Sequence, residues 1–231
     1  MKICGIQKLT LLDFPGKTAC TLFTGGCNFR CPFCHNAPLV TEWNTAGEEI
    51  VEEEEVFAYL KKRRGILDGV CITGGEPLLQ PGTERFLEQV KALGYLVKLD
   101  TNGSFPRKLQ QLVSDKLVDY VAMDIKNSPE HYGETAGIEN FDLSPIQESI
   151  DFLKEGHVDY EFRTTVVREF HTKESMEALA FWIRGDSKYY LQNFKDSGHV
   201  IAAGLSGFSK EELGQLLEAV RPWLPRAELR G

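Results

Sequence analysis

Three cysteines stand within eight residues of the sequence, at positions 27, 31 and 34 of the segment GGCNFRCPFCHN. Clustered thiolates in a loop are typical ligands of zinc or of iron–sulfur clusters. A structural zinc site and a ferredoxin-type cluster each take four ligands. The fourth would have to come from His35 or from one of the distant cysteines, Cys4, Cys20 and Cys71. Three local thiols instead suit a cubane iron–sulfur cluster in which one iron keeps an open position.

A second candidate motif, ITGGEPLL at 72–79, ends an apolar run with two glycines, an acid and a proline. Glycine allows unusual dihedral angles and a close approach of the backbone, and an acid can neutralise an ammonium group. Two further apolar runs end in polar groups, LDTNG at 99–103 and MDIK at 123–126. Buried charges need partners, so we expect Asp100, Asp124 and Lys126 to meet a polar ligand or one another.

These motifs need elements that bring them together, and the sequence predicts an α/β fold. β-branched and apolar runs alternate with amphipathic segments, as in repeated βα units around a parallel sheet. Six strands are predicted at 19–26, 69–75, 95–103, 118–126, 160–167 and 188–194. Helices are predicted near 51–64, 83–93, 106–116, 145–155, 173–184 and 210–223. In such sheets ligands bind at the carboxyl ends of the strands, where the cysteine loop and the polar motifs fall.

Two helix starts carry capping signals. Ser144, Pro145 and Gln147 are interpreted as an N-cap, a first-turn proline and a capping-box glutamine. Ser209 with Glu212 predicts a second capping box. No low-complexity linker or change of composition marks a boundary, so residues 1–231 are predicted to form a single domain.

Composition limits the classes of partner. The 231 residues carry a formal net charge of −8, which argues against general attraction to nucleic acid. The amino terminus lacks a secretory apolar region, and no run approaches the roughly 20 apolar residues of a membrane span. We therefore expect a cytoplasmic protein, in which the six cysteines are thiols or metal ligands rather than disulfides.

The segment CNFRCPFC, with Phe33 just before the third cysteine, resembles the three-cysteine motif of the radical S-adenosylmethionine (SAM) superfamily. The resemblance implies a partial (β/α)6 TIM-like barrel with six βα units over about 19–224 and a cluster loop at 26–36. It also implies that Cys27, Cys31 and Cys34 hold one 4Fe-4S cluster. SAM would chelate the open iron, and an electron from the cluster would cleave SAM to methionine and a 5′-deoxyadenosyl radical. The GGEP segment of the family holds the methionine amino group, a role that passes to Gly74, Gly75 and Glu76.

The strand ends resemble those of activating enzymes for glycyl radical enzymes, where they bind the methionine carboxylate and the ribose of SAM. The resemblance implies cofactor contacts for six further residues, which are Phe33, Asn36, Asp100, Asn102, Lys126 and Arg163. It also implies a monovalent cation site at Asp100, Thr101 and Asp124. A structural ion-pair network is the alternative for these acids, and a salt bridge to Asp124 or Glu161 is the alternative for Arg163. Where relatives carry a histidine on the last strand, this sequence has Leu191, Gln192 and Asn193.

The opening segment IQKLTLLDFPGKTACTLFTGGCNFRCPFCHNAPLV closely resembles activating proteins of anaerobic ribonucleoside-triphosphate reductase. This implies a partner reductase with a stored glycyl radical, and a flavodoxin or ferredoxin as electron donor. Within the superfamily, an enzyme that acts on a small molecule, similar to carboxydeazaguanine synthase, is the alternative. From other classes, a zinc-binding interaction module and an iron–sulfur electron carrier remain open.

Overall fold

Strands and helices alternate along the chain and build one eight-stranded sheet, in a computed structural model that describes residues 1–42, 50–196 and 198–230. The strands lie side by side in the order of the sequence. They are β1 (Ile3–Thr10), β2 (Ala19–Thr24), β3 (Gly69–Gly74), β4 (Leu96–Thr101), β5 (Tyr120–Asp124), β6 (Asp159–Val166), β7 (Lys188–Asn193) and β8 (Ala227–Arg230). Strands β2 to β8 are parallel, and β1 pairs antiparallel with β2.

The helices connect successive strands, as expected for right-handed crossovers between parallel neighbours. They are α1 (Ala37–Thr41), α2 (Glu53–Lys62), α3 (Thr83–Ala92), α4 (Pro106–Ser114), α5 (Tyr132–Ala136), α6 (Ser144–Lys154), α7 (Lys173–Trp182) and α8 (Lys210–Val220). Single 3-10 turns lie at Pro77–Leu79 and Pro129–His131. Each longer helix buries one apolar stripe, for example Phe86, Leu87 and Val90 of α3.

The predicted partial barrel is confirmed, and it is open because β1 and β8 form the two edges of the sheet. All six predicted strands are present, each within a few residues of its predicted bounds. The prediction missed both edge strands. β1 has Gln7, Lys8 and Leu9 exposed, so its side chains give no continuous apolar run, and β8 is only four residues long.

Of the two predicted caps, one is confirmed and one is wrong. The Ser209 hydroxyl accepts a hydrogen bond from Glu212 N at 3.3 Å, and the Glu212 carboxylate accepts one from Ser209 N at 2.8 Å. Ser144 instead lies inside α6 and makes no capping bond, because the helix begins one residue earlier than expected and Asp142 accepts from Ser144 N at 3.0 Å.

The loop between β1 and β2 closes the amino-terminal end of the barrel. Phe14 is 4% exposed, and its ring packs on Tyr120 at 6.1 Å between centroids. A Cβ on Gly69, the first residue of β3, would lie 2.8 Å from the Phe14 ring, so this position leaves room only for glycine. The side chain therefore forms a floor opposite the carboxyl ends of the strands.

Among the helices of the described ranges, none has the length and apolar character that crossing a bilayer requires.

Phe14→Ala should lower the free energy of unfolding by about 3–5 kcal/mol, because it leaves a cavity beneath the barrel. Urea unfolding of the cluster-free protein under reducing conditions measures this change. Leu12→Ala is the matched control in the same loop, since Leu12 is 88% exposed and its truncation should change stability by less than about 0.5 kcal/mol. Equal losses in the two variants would contradict the assignment of Phe14 as the floor.

Candidate active site

The carboxyl ends of the strands and the cluster loop enclose a cavity of about 240 Å³. All but one of the residues predicted for the site line this cavity. They are Cys27, Cys31, Phe33, Cys34, Asn36, Gly74, Gly75, Asp100, Thr101, Asn102, Asp124, Lys126 and Arg163. The exception is Glu76, which is fully buried behind the wall. Their predicted roles toward a cofactor remain predictions, and the geometry below shows what each side chain contacts.

Backbone hydrogen bonds from distant segments fasten the cluster loop. Arg30 N donates to Ala136 O at 2.9 Å, and Ala202 N donates to Pro32 O at 2.9 Å. Gly137 makes the first contact possible, because a Cβ there would lie 2.1 Å from the Arg30 carbonyl oxygen. The loop is thus held in shape by chain that lies more than 100 residues beyond it in sequence.

Two aromatic side chains anchor the same loop in the core. Phe29 is 2% exposed and meets Phe141 edge-on at 5.5 Å, and Phe33 is 4% exposed and meets Phe170 at 6.0 Å. Buried rings of this size give a loop without regular structure a fixed position. Cys31 lies between the two rings and Cys34 directly follows Phe33, so the anchored rings fix the position of this part of the loop.

The two glycines of GGEP allow β3 to approach the cluster loop closely. Glu76 N donates to Gly26 O at 2.8 Å, and a Cβ on Gly75 would lie 1.9 Å from that same oxygen. Gly74 has φ +111, and a Cβ there would lie 2.3 Å from Thr24 N. Asn36 Nδ2 donates to Gly74 O at 2.9 Å. Backbone from the loop and from β3 therefore meets with no room for a side chain.

The three loop thiols are neutral in the protein without metal. Burial raises the pKa of Cys27 to about 12, and nearby Glu76 adds to the effect. Burial also raises the pKa of Cys31 to about 11 and raises that of Cys34. A thiolate at these positions needs a positive partner, which a bound metal centre supplies. The chemistry of the donor set is that of a metal centre rather than of a free nucleophile.

The opposite wall carries a chain of alternating charges. Lys126 Nζ contacts Asp124 Oδ2 at 3.1 Å, and Arg163 contacts Asp124 Oδ1 at 2.9 Å and Asp100 Oδ2 at 3.1 Å. Lys98, 1% exposed, also pairs with Asp100. Burial alone would raise the pKa of Asp124, but Arg163 and Lys126 outweigh it and lower the pKa to about 2. Both carboxylates are therefore ionised at neutral pH.

This network contains the ion pairs that the sequence left as alternatives. Arg163 forms a salt bridge with Asp124, whereas Glu161 pairs with Arg230 at 2.9 Å. Three side-chain cations surround Asp100 and Asp124, and the monovalent cation site at these acids stays a prediction. Lys98 was missed by the sequence reasoning, although it lies two residues before Asp100 on β4 and hence on the same face.

The carboxylate of Glu76 points to the next strand rather than into the cavity, and its role toward SAM stays a prediction. It accepts hydrogen bonds from Asn102 N at 2.7 Å, Thr101 Oγ1 at 2.9 Å and Leu78 N at 3.0 Å. Burial nevertheless raises the pKa of Glu76 to about 7. In the cofactor-free protein it is a structural acceptor that joins β3 to the end of β4.

The three other cysteines lie outside the cavity, and His35 lies on its wall. Cys20 and Cys71 are buried, Cys4 is partly exposed, and none of them lines the cavity. His35 lines the cavity and stacks on Phe194 at 5.3 Å between ring centroids. The cavity also has lining residues that carried no signal of chemistry in the sequence: Phe29, Val40, Thr73 and Thr165, with Gln192 of the last predicted strand.

A family model described as the radical SAM superfamily matches residues 21–183, more than half of the chain. The chain belongs to the radical SAM superfamily. The matched region of this radical SAM enzyme includes the cluster loop and the strand ends that carry the predicted site residues.

Three curated relatives are similar to this radical SAM enzyme. A candidate glycyl-radical enzyme activating enzyme of Methanocaldococcus jannaschii is 32% identical over 197 residues, which cover 84% of this chain and 80% of the relative. The 7-carboxy-7-deazaguanine synthase of Koribacter versatilis is 31% identical and covers 67% of this chain and 64% of its own. The pyruvate formate-lyase-activating enzyme of Staphylococcus epidermidis is 32% identical, covering 53% of this chain and 51% of its own.

Solved structures support the fold. The Streptococcus suis protein SuiB, crystallised with SAM, superposes with a TM-score of 0.66 at 14% identity. The match covers 91% of this chain and 52% of SuiB, so the chain spans about half of that protein. At this identity the likeness shows the radical SAM barrel alone.

The family implies a 4Fe-4S cluster and SAM, and the residues present fit both groups. Among the described residues, the cavity is lined by three cysteines, which leaves one iron of a cubane cluster without a protein ligand. The facing wall presents Lys126 and Arg163, whose cationic groups suit a carboxylate.

Gly75→Ala should abolish cluster binding, because its Cβ would overlap the Gly26 carbonyl and push the cluster loop aside. We expect iron after anaerobic reconstitution to fall from about four atoms per chain toward zero. Gly214→Ala is the matched control, since a Cβ there, in α8, meets nothing within 4 Å. It should keep the full iron content and raise stability by about 0.5–1 kcal/mol. Normal iron content in Gly75→Ala would refute the close-approach argument.

Glu76→Gln should remove a pH dependence of folding. The folded protein holds the Glu76 proton up to about pH 7, whereas an unfolded glutamate loses it near pH 4.3. The folded state therefore binds more protons in this window, so its free energy of unfolding falls as pH rises, by about 3 kcal/mol in total. The measurement is urea unfolding of both cluster-free proteins from pH 4 to 8. If the free energy of unfolding changes with pH equally in wild type and Glu76→Gln, the raised pKa of Glu76 is contradicted.

Proposed function

We propose that this radical SAM enzyme is an activating enzyme that generates a glycyl radical in a partner protein. The observation that carries the proposal is the pairing of a three-thiol cavity with similarity to the Methanocaldococcus jannaschii relative across 84% of the chain. The similarity to a pyruvate formate-lyase-activating enzyme supports the same class of reaction. The opening segment resembles activating proteins of anaerobic ribonucleoside-triphosphate reductase, and we propose that reductase as the partner.

In the proposed site, Cys27, Cys31 and Cys34 hold one 4Fe-4S cluster. Lys126 and Arg163, which line the cavity, would hold the carboxylate of SAM. The backbone of Gly74 and Gly75, which carry no side chains of their own, would lie near its amino group. The other predicted cofactor contacts, Phe33, Asn36, Asp100 and Asn102, line the same cavity. When bound, the cluster supplies the electron that cleaves SAM to methionine and a 5′-deoxyadenosyl radical.

The chain contributes position and exclusion of water rather than acid–base chemistry. The buried floor at Phe14 and the ion-pair network leave the carboxyl-terminal end of the barrel as the entrance. The adenosyl radical would take a hydrogen atom from a glycine Cα of the partner, which would leave 5′-deoxyadenosine and a glycyl radical. Enclosure of the cavity protects the adenosyl radical from side reactions. A flavodoxin or ferredoxin is the proposed electron donor, and a reducing cytoplasm is the proposed location.

A second candidate function has its own observation. The similarity to a 7-carboxy-7-deazaguanine synthase, 31% identical over 161 residues, favours a radical SAM enzyme acting on a small molecule. The cavity chemistry is the same in both cases, so the identity of the hydrogen donor separates them.

Anaerobically reconstituted and reduced protein should convert SAM to 5′-deoxyadenosine, because the open iron position receives SAM. Cys31→Ala should reduce product by at least about a hundredfold, because it removes one of the three cluster ligands. Cys4→Ala, outside the cavity, is the control and should retain activity. About one zinc and no acid-labile sulfide would support a zinc module instead. A loaded, reducible cluster that consumes no SAM, even with the reductase present, would indicate an electron carrier.

Addition of the anaerobic ribonucleotide reductase from the same organism should produce a glycyl radical signal in electron paramagnetic resonance. Deuterium at the partner glycine should appear in 5′-deoxyadenosine, since that carbon donates the abstracted atom. A reductase with this glycine changed to alanine is the control and should give neither result. Transfer of hydrogen from an added small molecule instead, with no protein radical, would favour the small-molecule function.

A further inference from the structure

Asn102 makes a contact that cofactor binding alone does not explain. It follows β4 directly, is 6% exposed, and its Nδ2 lies 3.8 Å from Cys27 Sγ. The same sulfur accepts a backbone hydrogen bond from Phe29 N at 3.3 Å. A buried side-chain amide therefore points at one of the three thiols of the cluster loop, from a strand that is distant in sequence.

The Asn102 amide also belongs to a ring of three side-chain hydrogen bonds. Asn102 Nδ2 donates to Asn28 Oδ1 at 3.0 Å, Asn28 Nδ2 donates to Ser104 Oγ at 2.9 Å, and Ser104 Oγ donates to Asn102 Oδ1 at 2.6 Å. All three bonds run in one direction, so each polarises the next.

The backbone fixes the direction of this ring. Ser104 N donates to Asn102 Oδ1 at 2.9 Å, and a backbone N–H can only donate a hydrogen bond, so its partner must be the amide oxygen. The oxygen of the amide is thereby held on the Ser104 side, and the NH₂ group must face Asn28 and Cys27. One of its two hydrogens is used by Asn28, and the other is directed at the sulfur.

We propose that Asn102 is a positioning residue that donates an N–H···S hydrogen bond to the Cys27 thiolate and thereby raises the reduction potential of the cluster. This inference rests on the proposed cluster at Cys27, Cys31 and Cys34. Hydrogen bonds to cluster sulfurs stabilise the more negative, reduced state, since reduction adds charge to the sulfurs. The bond makes the cluster easier for its donor to reduce, without contact with the hydrogen-donating glycine.

The test is the midpoint potential of the reconstituted cluster, followed by electron paramagnetic resonance in the absence of SAM. Asn102→Asp keeps the oxygen that Ser104 N requires and replaces the NH₂ donor. Asn102→Ala removes both groups. In each variant the reduced fraction at a fixed potential should fall by about tenfold or more, which is a negative shift of about 59 mV for one electron.

Asn28→Ala is the matched control. It breaks two bonds of the ring, including the tie between loop and strand, and leaves the Asn102 amide beside Cys27 with the Ser104 backbone bond intact. Its potential should match that of the wild type. An equal shift in Asn28→Ala would overturn the proposal, because it would assign the effect to fastening of the loop.

The variants also separate this inference from the proposed function. Unshifted potentials in cluster-loaded Asn102→Ala or Asn102→Asp would overturn the role of Asn102 and leave the activating function untouched. If Asn102→Ala loses its cluster, Asn102→Leu decides in its place, because leucine is close to asparagine in size and lacks both the NH₂ donor and the negative charge by which Asn102→Asp lowers the potential on its own. A wild type that binds no iron and sulfide would instead overturn the proposed cluster itself.

Discussion

The approach of the β3 backbone to Gly26 is the constraint on which the site depends. A parallel strand ends in two glycines, and the loop that carries the cysteines rests against them with a hydrogen bond of 2.8 Å. Any side chain at Gly75 would occupy the position of the Gly26 carbonyl. Because the strand belongs to a buried sheet and cannot shift, it defines where the loop lies. The position of the sheet therefore determines where the cysteines lie.

The wall opposite the loop is held together by ion pairs rather than by close backbone contact. Five ionisable side chains alternate in sign from Lys126 through Asp124, Arg163 and Asp100 to Lys98. Each charge lies in an interior where an unpaired ion would be costly, and each has a partner of opposite sign. The sum of formal charges along this chain is +1. That surplus faces three thiols whose conversion to thiolates adds negative charge, so wall and loop are complementary once metal is bound.

Much of this arrangement could be predicted from the sequence because its signals are local. The first four of the six predicted strands are apolar runs that are almost entirely buried, and the site motifs lie at the carboxyl ends of these four. The edge strand β1 could not be found in this way, because its stability comes from pairing with β2 rather than from its own apolar pattern. The direction of Glu76 was equally hidden, since it depends on donors from the next strand. The prediction of Ser144 as an N-cap was wrong because the helix already includes Ser144, whose backbone N–H donates to Asp142 two residues earlier.

The backbone bonds that shape the cluster loop have a consequence for the order in which the protein is made. The last cysteine of the loop is residue 34, so the loop is synthesised early. The residues that hold it by backbone hydrogen bonds, Ala136 and Ala202, are synthesised much later. At about 5–20 residues per second, synthesis separates these events by roughly 10 to 30 seconds. During that interval the thiols are tethered to an incomplete sheet and lack their final geometry. A metal centre at these cysteines would therefore be inserted at the end of biosynthesis, and the thiols would need a reducing environment until then.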